Sequence, residues 1–233
     1  FKLTRAISSA IPKVLEFQSA LVKLQQVTGK SSLQLDGLSN SIDKVSTSLG
    51  IDANELINIA RIFAQTGQSL DQVESSLKAV ASASLAPTFG TMEQTAEGLI
   101  ASLNQFNIKA DQSEQVLGSL NRVSKKFAVE SADLITAIRK TGAVFALGAG
   151  DIEKPIDALH QFNAIFTSVR ATTRESADTI GAGLKTIFSR IQRRSSIDAL
   201  RELGIELTDV KGKFVGFYPA LQQIGKSLES VFK

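Results

Sequence analysis

The chain has 233 residues, of which 43% are apolar, so it is long enough to bury one large core or two small ones. The absence of cysteine excludes disulfides and thiolate metal sites, and a net charge of +3 is too small to indicate nucleic-acid binding by itself. The longest uncharged apolar stretch, residues 142–150, is far shorter than the roughly 18 residues of a membrane span. The chain begins at Phe1 rather than at Met, and we interpret it as part of a longer protein.

Helix start and stop signals recur along the whole chain. In a capping box the first side chain accepts a hydrogen bond from the third helical amide, and a Glu or Gln reaches back to the first residue's amide. Five strings have this form: Asp52–Glu55, Ser69–Gln72, Thr91–Gln94, Asp111–Glu114 and Thr172–Glu175. Ser131 and Ser196 are predicted as simpler N-caps. Glycines in the left-handed conformation are expected to end helices at Gly29, Gly50, Gly67, Gly148 and Gly204.

Between these signals the apolar residues recur at intervals of three and four, which is the spacing of one helix face. The sequence therefore predicts an all-α fold of about eleven short capped helices. Their expected spans are 4–28, 33–49, 53–66, 70–85, 91–106, 112–127, 132–146, 155–170, 174–194, 197–203 and 218–232.

Two of the predicted helices have the 3.5-residue period of a coiled-coil seam, each over two to three heptads. The first seam is Ile7, Ala10, Val14, Phe17, Leu21 and Leu24, and the second is Leu35, Leu38, Ile42, Val45 and Leu49. Because proline lacks an amide hydrogen, Pro12 is expected to interrupt the first seam or to mark a helix start.

One passage departs from the helical spacing. Ile205, Leu207 and Phe214 surround the turn Val210–Lys213, which predicts one small β-hairpin near residues 205–215.

The domain organisation is suggested by the positions of proline and glycine. Both lie close together in Ala86–Gly90, which is the weakest joint of the chain, and Gly148–Gly150 is a second weak point. We therefore expect an N-terminal helical part over residues 1–86 and a helical core over residues 87–233, or one continuous domain.

No residue pattern indicates an enzyme, and we predict no catalytic residue, cofactor or metal. His160 is the only histidine, and without further ligands we interpret it as an ordinary helix residue. Gly181–Thr186 looks superficially like a phosphate loop, but Leu184 separates Gly183 from Lys185. We interpret its glycines as positions of close helix packing.

Basic residues are concentrated late in the chain, since residues 160–233 carry 11 Lys and Arg against 7 Asp and Glu. Most of the excess lies in Lys185, Arg190, Arg193, Arg194 and Arg201. Arg190, Arg193 and Arg194 are expected to share a face of the predicted helix 174–194. Its apolar face is expected to consist of Leu184, Ile187, Phe188 and Ile191.

These three arginines have two interpretations, a solvated face beside the core or a contact surface for an acidic partner. High-affinity DNA binding is not favoured, because the patch is small and lacks interleaved aromatic residues.

Residues 168–192, SVRATTRESADTIGAGLKTIFSRIQ, resemble a signature of the tail tape measure proteins of tailed bacteriophages. Residues 102–145 and 196–224 follow the family pattern in the same order, and residues 27–73 look like the opening of its core. The signature string consists of Arg170, Thr172, Thr173, Arg174, Glu175 and Ser176. Thr172 and Glu175 are expected to cap the helix that follows.

The resemblance implies a multicopy structural protein of a phage or prophage virion. Such a protein acts in tail assembly, tail-length determination and DNA ejection through the tail tip. The implied partners are the tail tube protein, tail-tip or distal tail proteins, tail assembly chaperones and further copies of the same chain. The implied location is the virion tail, and the bacterial host cytoplasm during assembly. From the residues alone, an unrelated helical adaptor or scaffold stays open as the alternative.

Overall fold

The computed structural model describes the backbone of residues 2–231 and the side chains of residues 12–229. This part of the chain is all-α, as predicted, with eleven α-helices and one 3₁₀ turn at Ala110–Gln112. The helices α1 to α11 are Lys2–Thr28, Ser32–Leu49, Ala53–Gln65, Leu70–Ala83, Met92–Gln105, Ser113–Lys126, Ser131–Leu147, Pro155–Thr173, Ala177–Ile191, Arg194–Glu202 and Phe217–Val231. Each corresponds to one predicted span, and the predicted end at residue 232 lies outside the described residues.

The helices pack into two compact units. Within the described range, unit 1 comprises the residues up to Ile100 together with Lys109–Gly118. Unit 2 comprises Ala101–Ile108 and the residues from Ser119 onward. The dividing points lie inside α5 and α6, so these two helices contribute residues to both units. The predicted division between residues 86 and 87 stays a prediction.

Unit 1 is built around α3, which packs against α1, α2 and α4, while α2 also packs against α4. The seam predicted on α2 lies in this core, with Leu35, Leu38, Ile42 and Val45 all buried. In the α1 seam only Leu24 is fully buried among the described members, and Val14 is 55% exposed. Its members Ile7 and Ala10 lie outside the residues whose side chains are described.

Pro12 lies within α1, which runs from Lys2 to Thr28. The prediction that Pro12 interrupts or starts this helix is therefore wrong. Proline removes one hydrogen bond from a helix, and packing against other helices can offset that loss. Here α1 packs against α3, and packing of this kind stabilises the helix that contains the proline.

Three of the five predicted caps lie where they were expected. Asp52 is the N-cap of α3 as predicted, but its carboxylate accepts a hydrogen bond from the second helical amide, that of Asn54, at 2.8 Å, so it does not form the predicted capping box. Ser69 with Gln72 and Thr91 with Gln94 form the reciprocal bonds of capping boxes at the starts of α4 and α5. Local side-chain chemistry therefore sets these three helix starts.

Three other cap predictions are wrong. Asp111 lies inside the 3₁₀ turn that leads directly into α6, so it does not cap that helix. Ser131 is the first residue of α7, with Glu130 as the N-cap, and its hydroxyl instead pairs with that of Ser124 at 2.8 Å. Ser196 lies inside α10, which begins two residues earlier.

Unit 2 is built around α7, which packs against α8 and α9. Phe145 of α7 lies at the centre of a group of phenylalanine rings in the core. Its ring centroid lies 5.5 Å from that of Phe162, 5.2 Å from that of Phe188 and 5.6 Å from that of Phe217. These four side chains are fully buried. Their rings meet in tilted or edge-on orientations, which are favourable geometries for aromatic pairs. The ring group therefore joins α7, α8, α9 and α11.

Gly148 ends α7, but its φ of −117° is not left-handed, so that prediction is wrong. The other four predicted glycines have positive φ values and follow helices as expected. Gly148 is needed for space, because a Cβ atom there would overlap the ring of Phe217. Its carbonyl accepts a hydrogen bond from the Phe217 amide at 3.1 Å, which holds the end of α7 against the start of α11.

The predicted hairpin is a single antiparallel bridge between Thr208 and Phe214. The chain reverses at the expected turn, where the Asp209 carboxylate accepts hydrogen bonds from the amides of Lys211 and Lys213 at 2.8 Å each. This carboxylate organises the turn without an extended ladder, so the described residues contain no strand.

Candidate functional site at the α8–α9 connection and the α9–α10 junction

The signature string forms the end of α8 and its connection to α9. Arg170 lies in the last turn of α8, as predicted, where a cation interacts favourably with the helix dipole. Its Nε donates a hydrogen bond to the Asp133 carboxylate of α7 at 3.2 Å. Because only 23% and 25% of these two side chains are exposed, this ion pair is better shielded than a surface pair. Arg170 thus connects α8 to α7.

Arg174 makes the turn between the two helices. Its φ of 59° is left-handed, a conformation that costs about 1–2 kcal/mol for most residues other than glycine. Its amide donates to the Arg170 carbonyl at 3.1 Å, and its Nη1 donates to the Ala128 carbonyl at 3.3 Å. Arg174 therefore ends α8 and also anchors the connection to the segment before α7, which a glycine could not do.

The expectation that Thr172 and Glu175 cap the next helix is wrong. The Thr172 hydroxyl donates within α8 to the Ser168 carbonyl at 2.9 Å. The N-cap of α9 is Ser176, whose hydroxyl oxygen accepts a hydrogen bond from the Thr179 amide at 3.1 Å. Since Arg174 takes the left-handed turn, α8 continues to Thr173 and α9 begins three residues later than predicted.

The predicted arginine face does not lie on one helix. Helix α9 ends at Ile191, three residues before the predicted end, and α10 begins at Arg194, three residues before its predicted start. Arg190 lies in the last turn of α9, and Arg193 is the N-cap of α10. The Arg193 amide donates to the Arg190 carbonyl at 3.0 Å, so a tight connection joins the two helices. We call Arg190, Arg193 and Arg194 the basic junction.

All three residues of the basic junction are exposed. Arg194 is 96% exposed, and its Nε lies 3.9 Å from the Asp198 carboxylate, at the limit of an ion pair. Within the described part of the chain, no ion pair joins Arg190 or Arg193 to a carboxylate. The junction therefore presents positive charge that the unit itself leaves largely uncompensated.

Ile187 lies one helical turn before Arg190 and is 44% exposed. Its predicted place on the buried face is wrong, whereas Leu184, Phe188 and Ile191 are buried as expected. The buried stripe of α9 follows steps of three and four from Ala177 to Ile191, and Ile187 falls at its margin. An exposed apolar side chain thus adjoins the basic junction, which the sequence analysis did not find.

Arg201, in contrast, is fully engaged. Its guanidinium donates to the Glu206 carboxylate at 2.9 Å and to the Asp198 carboxylate at 3.1 Å. The hydrogen bond from Arg201, followed by that from Thr208, lowers the pKa of Glu206 to about 2. This cluster ties α10 to the turn after it, so Arg201 does not add free charge to the basic junction.

The histidine and the two glycines singled out in the sequence show no sign of a binding site. His160 Nδ1 lies 3.8 Å from the Asp157 carboxylate on the same helix, and no group of three metal-ligating side chains occurs among the described residues. Gly181 lies where the Lys140 side chain crosses α9, as expected for a close-packing glycine, but Gly183 faces open space. None of the described helices is long and apolar enough to cross a membrane.

Comparison with known proteins gives a consistent result. The chain is 23% identical over 221 residues to a probable tape measure protein of Escherichia phage P2, covering 92% of this chain and 26% of that protein. It is 19% identical over 213 residues to the tape measure protein of Pneumococcus phage Dp-1, covering 91% of this chain and 18% of that protein. The chain thus spans about a quarter or less of the length of these relatives. No solved structure matches it.

These matches confirm the predicted resemblance to tape measure proteins. The profile of phage-related minor tail proteins matches residues 39–233, which include unit 2, the part of unit 1 from residue 39 onward, the signature string and the basic junction. The chain therefore belongs to the phage-related minor tail protein family.

Proposed function

We propose that this chain is a folded structural segment of a phage tail tape measure protein, acting in tail assembly, tail-length determination and DNA ejection through the tail tip. The observation that carries the proposal is the family match over residues 39–233, together with two relatives named as tape measure proteins. We propose the tail tube protein, tail-tip proteins, tail assembly chaperones and further copies of the chain as partners. Its location would be the virion tail, and the host cytoplasm during assembly. The role is structural rather than catalytic.

Within that role, we assign the segment to a folded module rather than to the measuring part. A ruler needs long uninterrupted helix, and a straight helix of this chain would reach roughly 350 Å at about 1.5 Å per residue. The described helices are instead 9 to 27 residues long. The phenylalanine group around Phe145 further supports a module, because such a core needs several helices folded together.

A pair of phage variants separates the two roles. Phe145→Asp preserves chain length but places a charge in the core, so a module would fail in tail assembly or DNA delivery. Leu147→Asp is the matched control, because Leu147 is 88% exposed and should tolerate the change. Plaque counts and tail lengths by electron microscopy provide the readout. Infectious phage with unchanged tails from Phe145→Asp would contradict the module.

An in-frame deletion of residues 39–233 gives the complementary test. We expect it to abolish assembly or DNA delivery. Viable phage whose tails are shorter by about 1.5 Å for each deleted residue would show that the segment measures.

We further propose that the basic junction contacts an acidic protein partner. Arg190 and Arg193 have no described carboxylate partner, and the exposed Ile187 beside them supplies an apolar contact. A phosphate backbone would use the cations but not Ile187, so a protein surface with acidic and apolar residues fits better than DNA.

Binding of labelled polyglutamate and of a short DNA duplex to the whole chain distinguishes these partners. We expect salt-sensitive binding of polyglutamate that Arg190→Glu with Arg193→Glu abolishes, and weaker binding of DNA. Lys125→Glu with Lys126→Glu, at the exposed end of α6, is the charge-matched control and should retain binding. Equal loss in the control would identify the basic junction as an ordinary solvated surface, and stronger binding of DNA would replace the protein partner.

A further inference from the structure

Three buried residues of unit 2 have polar side chains without a hydrogen-bond partner in the described protein, and the buried Oε1 atoms of the half-buried Gln105 and Gln161 also lack one. Thr141 is 1% exposed, Asn163 2% and Thr167 6%. The hydroxyls of both threonines and both polar atoms of the Asn163 amide are unpaired. Since buried polar groups are nearly always paired, three such side chains in one unit are unusual. We call Thr141, Asn163 and Thr167 the unpaired set.

Other hydroxyls on the same two helices behave differently. Thr136 of α7 donates to the Ala132 carbonyl at 2.9 Å, and Thr172 of α8 donates to the Ser168 carbonyl at 2.9 Å. A threonine hydroxyl in these helices can thus pair with the carbonyl four residues before it. Thr141 and Thr167 make no such bond, so the unpaired set is a local feature of the interior.

Two anchors define how α7 and α8 lie against each other. Arg170 near the end of α8 binds Asp133 near the start of α7, whereas Phe162 of α8 lies 5.5 Å from Phe145 near the end of α7. The helices are therefore antiparallel. Thr141 lies two steps of four after Asp133 and one step before Phe145, so around the axis of α7 it falls between the two anchors.

The other two members of the unpaired set lie on α8 between its own anchors. Asn163 and Thr167 are four residues apart, so they share one side of the helix. They fall between Phe162 and Arg170 along the chain. The stretch of α7 and α8 between the two anchors thus contains the whole unpaired set.

We propose that the unpaired set makes this stretch the place where unit 2 first opens, with α8 separating from α7 while the remaining helices stay folded. Separation allows the amide and the two hydroxyls to bond to water, which offsets part of the loss of apolar packing. Local openings of this kind need less free energy than global unfolding. The inference concerns unit 2 alone and does not depend on the proposed role in the tail.

Hydrogen exchange of the whole chain tests it. Thr141→Val and Thr167→Val keep the side-chain shape and remove the unpaired hydroxyls. In the parent, we expect amides of α8 to exchange faster than those of α9. In the double variant, exchange of α8 should slow by about tenfold, because the closed state no longer contains two unpaired hydroxyls.

Thr136→Val and Thr172→Val are the matched controls, since each removes a hydroxyl that is already paired within the same helix. They should not slow exchange. Unchanged or faster exchange in Thr141→Val with Thr167→Val would overturn the proposal, because the hydroxyls would then be satisfied in solution. Slowing spread evenly over α7 to α11 would also overturn it, because the set would then limit global rather than local opening.

Discussion

Gly216 shows how much a single residue controls in unit 2. Its φ of 100° is left-handed, and a Cβ atom there would overlap the Ala149 carbonyl oxygen. The backbone of the segment before α11 can approach the end of α7 only because this side chain is absent. Gly183, on the exposed side of α9, has nothing within 4 Å of its own Cβ position and needs no such freedom.

We therefore expect Gly216→Ala and Gly183→Ala to have opposite effects. Gly216→Ala should lower the free energy of unfolding by about 2–3 kcal/mol, through strain and backbone overlap. Gly183→Ala should raise it by about 0.5–1 kcal/mol, because alanine favours a helix interior. Urea unfolding of both variants measures the difference. A Gly216→Ala protein as stable as the parent would mean that the two segments do not approach in solution.

Glu206 is a second residue whose effect can be measured, through the pH dependence of stability. The hydrogen bond from Arg201 lowers its pKa from 4.5 to about 2. A carboxyl group with a lowered folded-state pKa stabilises the fold above its unfolded-state pKa and loses that contribution as the pH falls through the folded one. We expect stability to decrease between about pH 4.5 and pH 2 by a component that Glu206→Gln removes. Glu202→Gln, a neighbouring exposed carboxyl on α10, should leave this component intact.

At the scale of helices, the α8–α9 connection contains both the residue that ends one helix and the residue that caps the next. Arg174 ends α8 in the left-handed conformation, and Ser176 then caps α9. Since Arg170 and Arg174 each bind a group outside the string, the connection also positions both helices relative to α7. Two arginines of the string thus make contacts that a capping box alone would not make.

Replacement of the cap tests this arrangement. Ser176→Ala should destabilise the chain by about 1 kcal/mol, because the Thr179 amide loses its acceptor. Thr172→Ala with Glu175→Ala should cost less than about 0.5 kcal/mol, because neither residue caps α9. The denaturant midpoints of the two proteins show whether Ser176 or the pair Thr172 and Glu175 caps α9. The reverse order would restore Thr172 and Glu175 as the cap.

At the scale of the whole molecule, helices are the only regular elements in the described range, and 76% of the described residues are helical. The far-UV circular dichroism of the chain should accordingly show strong minima of helical form. A spectrum dominated by sheet would contradict both the sequence pattern and the structure.

The helix content and most helix limits could be predicted because they depend on local chemistry. Ser69 and Thr91 each cap a helix through a hydrogen bond to an amide only three residues away. The apolar steps of three and four in α2 likewise correspond to its buried side. The limits at Thr173 and Ile191 could not be predicted in the same way. They depend on Arg174 reaching the Ala128 carbonyl and on where α9 finds partners in unit 2.

The candidate site also has features that depend on residue order and features that depend on tertiary packing. The sequence by itself determined that positive charge accumulates near Arg190 and that a family string precedes it, because both are properties of residue order. Only the tertiary structure decided that the arginines lie across a helix break and that Ile187 is exposed beside them. It alone also decided that Asn163 is buried without a partner. Burial and pairing depend on which helices meet, and residues far apart in the chain decide that.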